Sequence, residues 1–222
     1  MVTISTHKLL SGNPLVRKIA CLTGIKRPAL PHHVGMKFFQ ENSTWALDVK
    51  RCPCDLEFIS YVGDSNIKGK SIFHFGTGVH HIVGLENQKS DVPNEIIGIT
   101  AAAPEHQAYV KLVLQNPELA KYYKVIFADI YTLTANSLPS FDIVNLFHLC
   151  EFYLPENSKI THQNDESLLE IFISKLNPDG KIIFYSGSAA WGTTQPLIKS
   201  FEEAGKIKKV DEYKSLLIYT KA

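Results

Sequence analysis

The sequence predicts a doubly wound α/β domain with a mostly parallel sheet, and three observations carry that expectation. From about residue 71, short apolar runs alternate with helix-like segments, the rhythm of βαβ units. The run Phe141–Phe147 is apolar almost throughout, as a strand covered on both faces should be. The last two apolar runs are joined by a short connection, so they should pair as an antiparallel hairpin.

Taken in order, Ser71–Phe75 reads as the first strand and Val79–Asn87 as a short helix. Glu95–Thr100 is the second strand. Pro104–Leu114 is a helix with proline in its first turn, where a missing N–H costs nothing. Asn116-Pro117-Glu118 opens a second short helix, with Asn as N-cap. Lys124–Ala128 and Phe141–Phe147 are the third and fourth strands. Asp165–Leu176 is a helix, because Leu168, Leu169, Phe172 and Leu176 share one face. Asn177-Pro-Asp-Gly180 is a turn leading into the strand Lys181–Tyr185. Gln195–Ala204 is a helix closed by Gly205. Ile207–Val210 and Leu216–Thr220 form the hairpin, with Lys206, Lys208 and Lys209 keeping its edge solvated.

Residues 1–65 lack this rhythm and are broken by Pro14, Pro28, Pro31 and Pro53. They read as a helical N-terminal extension or lid on a domain spanning 66–222. Residues 1–40 carry six Lys or Arg and no acid, which fits a solvated leader better than an Arg- and Ser-rich targeting segment. Phe38, Phe39 and Trp45 are expected to pack on the sheet edge or to roof a pocket.

Of the 222 residues, 45% are hydrophobic and 20% charged, which is ordinary for a globular chain, and the net charge is +1. That balance offers no electrostatic case for nucleic acid or a membrane surface. No apolar run approaches the ~18 residues of a spanning helix. Cys21, Cys52, Cys54 and Cys150 show no disulfide framework, so a reducing, cytoplasmic location is expected. Cys52-Pro53-Cys54 is too tight for a zinc-finger pair and has no second pair.

In an open α/β sheet, ligands bind beyond the carboxyl ends of the strands, where the strand order reverses. Gly76 and Gly78 follow the first strand directly, where a tight turn into a helix needs positive φ or a bare backbone. The helix start then offers free N–H groups to a carboxylate or phosphate. A dinucleotide fingerprint would want a third glycine at position 81, which is His81, and no Gly-Lys-Ser/Thr follows, so neither a routine NAD or FAD site nor a Walker loop is expected.

The order of elements resembles the class I S-adenosylmethionine-dependent methyltransferases. "IFHFGTG" looks like their first motif, "IIGITAAAPEHQAYVK" like their second strand and helix, "VIFADIYTL" like their third motif, "SFDIVNLFHLCEF" like their fourth, and "LLEIFISKLNPDGKIIFY" like their proline-glycine turn and fifth strand. The resemblance covers roughly residues 66–222. It implies a Rossmann-like seven-stranded sheet, S-adenosylmethionine as cofactor, and a cofactor site of His74, Gly76, Thr77, Gly78, His80, Thr100, Asp129 and Ile130.

Three of those positions differ from the family pattern. His74 stands where the first motif has an acid, His80 where it has its third glycine, and Thr100 where an acid grips both ribose hydroxyls. Asp129 keeps the third-strand acid. Exchanging a carboxylate for one hydroxyl against a diol forfeits roughly 1.5–3 kcal/mol.

The function expected is methyl transfer to a small-molecule acceptor, with no nucleic-acid or membrane partner, and a homodimer is compatible with it. His148, after the fourth strand, is the expected catalytic residue, since a neutral imidazole can accept a proton from an O–H or N–H nucleophile. Two alternatives stand beside this: a methyltransferase-like protein that binds another ligand or a protein partner, and a metal held by His74, His80, His148 and Glu151. No metal ligand is assigned outright.

Overall fold

The computed structural model describes residues 44–153, 161 and 163–222. Most of the N-terminal extension, including the basic segment, Phe38 and Phe39, lies outside the described residues.

The described chain runs α1 (Cys54–Asp64), β1 (Ser71–Phe75), α2 (Ile82–Asn87), β2 (Glu95–Thr100), α3 (Ala103–Gln115), α4 (Leu119–Tyr122), β3 (Tyr123–Phe127), β4 (Phe141–Asn145), α5 (Asp165–Ser174), β5 (Leu176–Tyr185), α6 (Trp191–Glu203), β6 (Ile207–Tyr213) and β7 (Leu216–Lys221), with two 3-10 turns between β3 and β4. The seven strands form one sheet in the order β3-β2-β1-β4-β5-β7-β6. The first five are parallel, and β7 lies antiparallel between β5 and β6. β1 and β4 are neighbours, so the strand order reverses between them. That is the switch point where an open sheet leaves a crevice.

Alternation along the strands sends side chains to two cores. Phe73 and Phe75 of β1 join Val144 of β4 and Phe172 of α5 on one face. Ile72, Ile143 and Ile183 face the other side, where Phe58 and Tyr61 of α1 cover them. Helix α1 therefore belongs to the sheet's covering layer, although it lies before residue 66. Asp142 ties the strand entrances together: Oδ2 accepts from the Ser71 N–H at 2.9 Å and Oδ1 from Asn177 Nδ2 at 3.1 Å.

Several element boundaries differ from the sequence expectation: α5 ends at Ser174, so Leu176, expected on its apolar face, opens β5 instead, and β4 ends at Asn145 rather than Phe147. α2 starts at Ile82, not Val79, because His81 adopts a left-handed φ of 46° and stands as its N-cap, while the Val79 N–H, before it, bonds the Trp45 carbonyl (2.9 Å). α6 starts at Trp191, so Pro196 falls inside the helix rather than at its opening. The turn Asn177–Gly180 is an excursion within β5: Phe141 pairs with Leu176 and Ile143 with Lys181, so five steps on β5 oppose two on β4. Asp179, at φ 62°, turns the chain there. Among the described residues, no helix is long and apolar enough to cross a membrane.

Candidate active site

A cleft of about 610 Å³ opens over the carboxyl ends of β1, β2, β3 and β4. Such a volume suits a nucleoside-sized ligand together with a small second molecule. Its walls include Gly76, Gly78 and His80 after β1, Thr100 after β2, Asp129 and Ile130 after β3, and His148 and Glu151 after β4. The segment Trp45–Cys52 closes one side.

The glycine turn has the backbone that its sequence requires, with φ of 87° at Gly76 and 55° at Gly78. Both glycines are also packed tightly from above. A Cβ on Gly76 would meet His148 Cδ2 at 2.9 Å, and one on Gly78 would meet His80 Cδ2 at 2.7 Å and the Trp45 carbonyl oxygen at 2.8 Å. The turn thus seats two imidazoles and a backbone strap.

Beyond β3, Asp129 is buried and its Oδ1 accepts from the Tyr131 N–H (3.0 Å), while burial raises the carboxyl above its ordinary range. Thr100 donates its hydroxyl to Glu105 Oε2 at 2.6 Å, and Glu105 Oε1 accepts from the Trp45 N–H at 3.2 Å. A carboxylate is therefore present beside the end of β2 after all, supplied by the first turn of α3. Glu105 was missed in the sequence because an acid in a helix's first turn reads as a response to the helix dipole.

His74 and Thr77, expected at the cofactor, do not reach the cleft wall. The pleat of β1 turns His74 toward α1, where it is 1% exposed and stacks on Phe58 with ring centroids 6.4 Å apart. Burial pushes its imidazole down to about 3, so it is neutral. Its Nδ1 lies 3.4 Å from Asn145 Nδ2, and its Nε2 lies 3.4 Å from Asp55 Oδ1 without hydrogen-bond alignment. Thr77 folds beneath the turn onto Gly98, where any larger residue would collide with its methyl group.

At the far end, His148 and Glu151 form a pair, with Nδ1 3.1 Å from Oε2 but out of line for a full hydrogen bond. Glu151 Oε1 also accepts from Ser188 Oγ (2.6 Å) and the Ala189 N–H (3.2 Å). Burial alone would depress the His148 pKa, but Glu151 and the nearby Cys52 and Asp55 outweigh it, and the net shift is upward.

Cys52, Cys54 and Asp55 complete this end of the cleft. The two sulfurs lie 3.4 Å apart. Their mutual hydrogen bond pushes Cys52 down to about 6 and Cys54 upward, so the pair readily holds one thiolate. Burial raises Asp55 to about 7. His80 Nε2 lies 3.7 Å from its Oδ2, and burial brings His80 down to about 4. Cys150, by contrast, packs against the Phe73 core and does not line the cleft.

His81 has a structural role. Its Nε2 lies 2.9 Å from the Glu105 carbonyl oxygen, which can only accept, so Nε2 carries the proton. Nδ1 then accepts from Tyr123 Oη at 3.0 Å. Burial lowers the pKa of this ring. Below the ordinary histidine value of about 6.5 the unfolded chain therefore binds the extra proton, and stability contributed here is full above that pH and falls as pH drops below it. His81→Asn, which tolerates the left-handed backbone, should cost about 1–3 kcal/mol at neutral pH. It should also flatten the acid limb of the stability profile in urea unfolding between about pH 7.5 and 5.5. Parallel profiles for the two proteins would refute this role.

The strand order, the antiparallel hairpin and a crevice at the β1/β4 switch point together define the class I S-adenosylmethionine-dependent methyltransferase fold. Solved structures agree. Magnesium protoporphyrin IX methyltransferase from Synechocystis PCC 6803, with bound SAM, aligns at a TM-score of 0.56 and 10% identity, covering 87% of this chain and 100% of that one. A precorrin 8w decarboxylase from Methanobacterium thermoautotrophicum aligns at 0.51 and 15% identity, covering 84% and 97%. The cyclase SpnF aligns at 0.50 and 17% identity, covering 89% and 70%. No protein-family model matches the sequence, and no curated protein matches it.

Asp129, Ile130 and Ile99 line one end of the cleft, and the Thr100–Glu105 pair presents hydroxyl and carboxylate oxygens beside them. Beside the glycine turn, the Val79 N–H is already bonded to the Trp45 carbonyl.

Proposed function

We propose that this protein binds S-adenosylmethionine and transfers its methyl group to a small-molecule acceptor. The reading is carried by one observation: a single cleft at the switch point joins Asp129 and the Thr100–Glu105 pair at one end to His148 and Glu151 at the other. When bound, S-adenosylmethionine supplies an activated methyl group. The chain's own residues orient the partners and keep water out. Asp129 and Glu105 hold the nucleoside, the glycine turn lets the ligand approach the backbone, and the His148–Glu151 pair faces the acceptor.

A second reading is favoured by the bond between the Val79 N–H and the Trp45 carbonyl, which occupies the amide a carboxylate would use. In that reading the fold binds another ligand or a partner and performs no methyl transfer. Titration calorimetry with S-adenosylmethionine and S-adenosylhomocysteine separates the two. Methyl transfer requires saturable heat at or below millimolar ligand, and Asp129→Ala should weaken binding roughly 10–100-fold. Absence of heat up to that concentration rejects the first reading in favour of the second.

A further inference from the structure

We propose that Cys52, Cys54 and His148 form a site for a single thiophilic divalent cation, zinc by preference, with its fourth coordination position open to the cleft. Each of the three residues offers a ligand atom, and the three atoms lie within 4.8 Å of one another. They come from different parts of the fold: the two thiols from the strap and the first turn of α1, the imidazole from the turn after β4. The set differs from the histidine-and-carboxylate cluster expected from the sequence, and it uses the Cys52-Pro53-Cys54 pair whose spacing reads as too tight for a zinc finger. His74 belongs to the layer under the cleft, and His80 faces Asp55.

The geometry suits zinc closely. Tetrahedral zinc with sulfur ligands at about 2.3 Å places two sulfurs about 3.8 Å apart. The present 3.4 Å separation needs only a few tenths of an ångström of opening. Closing it to a disulfide would need more than an ångström of movement, across a Cys-Pro-Cys link with little freedom. Two thiolates and a neutral imidazole also cancel the dication's charge, which a partly buried position demands. Soft sulfur with imidazole selects zinc over magnesium or calcium.

The surroundings match a metal-bound histidine. Glu151 sits beside Nδ1 of His148, with its other oxygen fixed by Ser188 and Ala189, and this leaves Nε2 to the metal. A carboxylate behind the ring is the usual device for orienting such a ligand. Three protein ligands with an open fourth position are the pattern of sites that take water or a substrate donor. All three residues line the cleft, so a thiol, hydroxyl or carboxylate of a bound molecule can complete the set.

The inference does not depend on methyl transfer, because metal content and S-adenosylhomocysteine binding are measured separately. The test uses full-length reduced protein with Zn²⁺ or Co²⁺ alone. One equivalent of zinc should bind and protect two thiols from modification. Cobalt should give the visible bands of a tetrahedral thiolate site. Cys52→Ser and His148→Ala should each weaken binding by at least about 100-fold, and Glu151→Gln by about 10-fold. Cys150→Ser should bind as the parent does. Cys52 is only half buried, so its variant keeps the test valid if Cys54→Ser fails to fold. The proposal is overturned by any of three results: no stoichiometric uptake, uptake indifferent to Cys52→Ser and His148→Ala, or a Cys52–Cys54 disulfide in protein purified with reductant.

Discussion

Phe73→Ala is expected to lower the unfolding free energy by about 3–5 kcal/mol, which is a large share of the roughly 5–15 kcal/mol that holds such a domain together. Phe73 is completely buried in β1, at the centre of the face covered by α5. Its ring lies 4.5 Å from that of Phe172 and 5.5 Å from that of Phe141, centroid to centroid. Truncation therefore removes one large apolar side chain and strands two others around a void. The strands on either side are hydrogen-bonded into the sheet, so the backbone cannot collapse inward to fill it. Urea unfolding followed by circular dichroism measures the loss. A change below about 1.5 kcal/mol would mean that α5 closes the gap and that this core is far softer than its packing implies.

The second large effect is expected at Glu105. Glu105→Ala should reduce affinity for S-adenosylhomocysteine by about 10–100-fold, because it removes the carboxylate that stands beside the Thr100 hydroxyl. It should also release the strap, since Glu105 Oε1 accepts from the Trp45 N–H. Trp45 is 61% exposed already, so its fluorescence should shift further toward that of a free indole. Calorimetry and fluorescence on one variant then separate a ligand contact from a strap anchor. Unchanged affinity with a released strap would assign Glu105 to the strap alone.

The sheet was legible in the sequence because its strands are short apolar runs between turn residues, and because a short link forces the final hairpin. Helix starts were less legible. Val79 and His81 look helical by pattern, but one gives its N–H to Trp45 and the other turns left-handed, and neither contact has a local signature. The cleft positions follow from topology, since residues just after parallel strands must meet at the switch point. Which side chains actually turn into the cleft is a matter of pleat and packing. His74 and Thr77 belong to the right segment and point beneath it. Glu105 reaches Trp45 across 60 residues, and Cys52 and Cys54 meet His148 across nearly a hundred. Such long-range meetings leave no mark in spacing. Cys-Pro-Cys stood out in the sequence but reads there as too tight for zinc, since its partner His148 lay one layer of folding away.

The bond from Val79 to the Trp45 carbonyl makes the chain a rival for its own port. A peptide oxygen already sits where an incoming carboxylate would seek an amide, and it is tethered, so its local concentration is set by the length of the strap rather than by the solution. A ligand reaching the glycine turn must therefore evict this resident before gaining any contact there. The measured affinity is the intrinsic one multiplied by the fraction of molecules whose strap has already let go. Ligands that engage only the Asp129 and Thr100 end avoid that cost, so the two ends of the cleft weigh the same molecule on different scales.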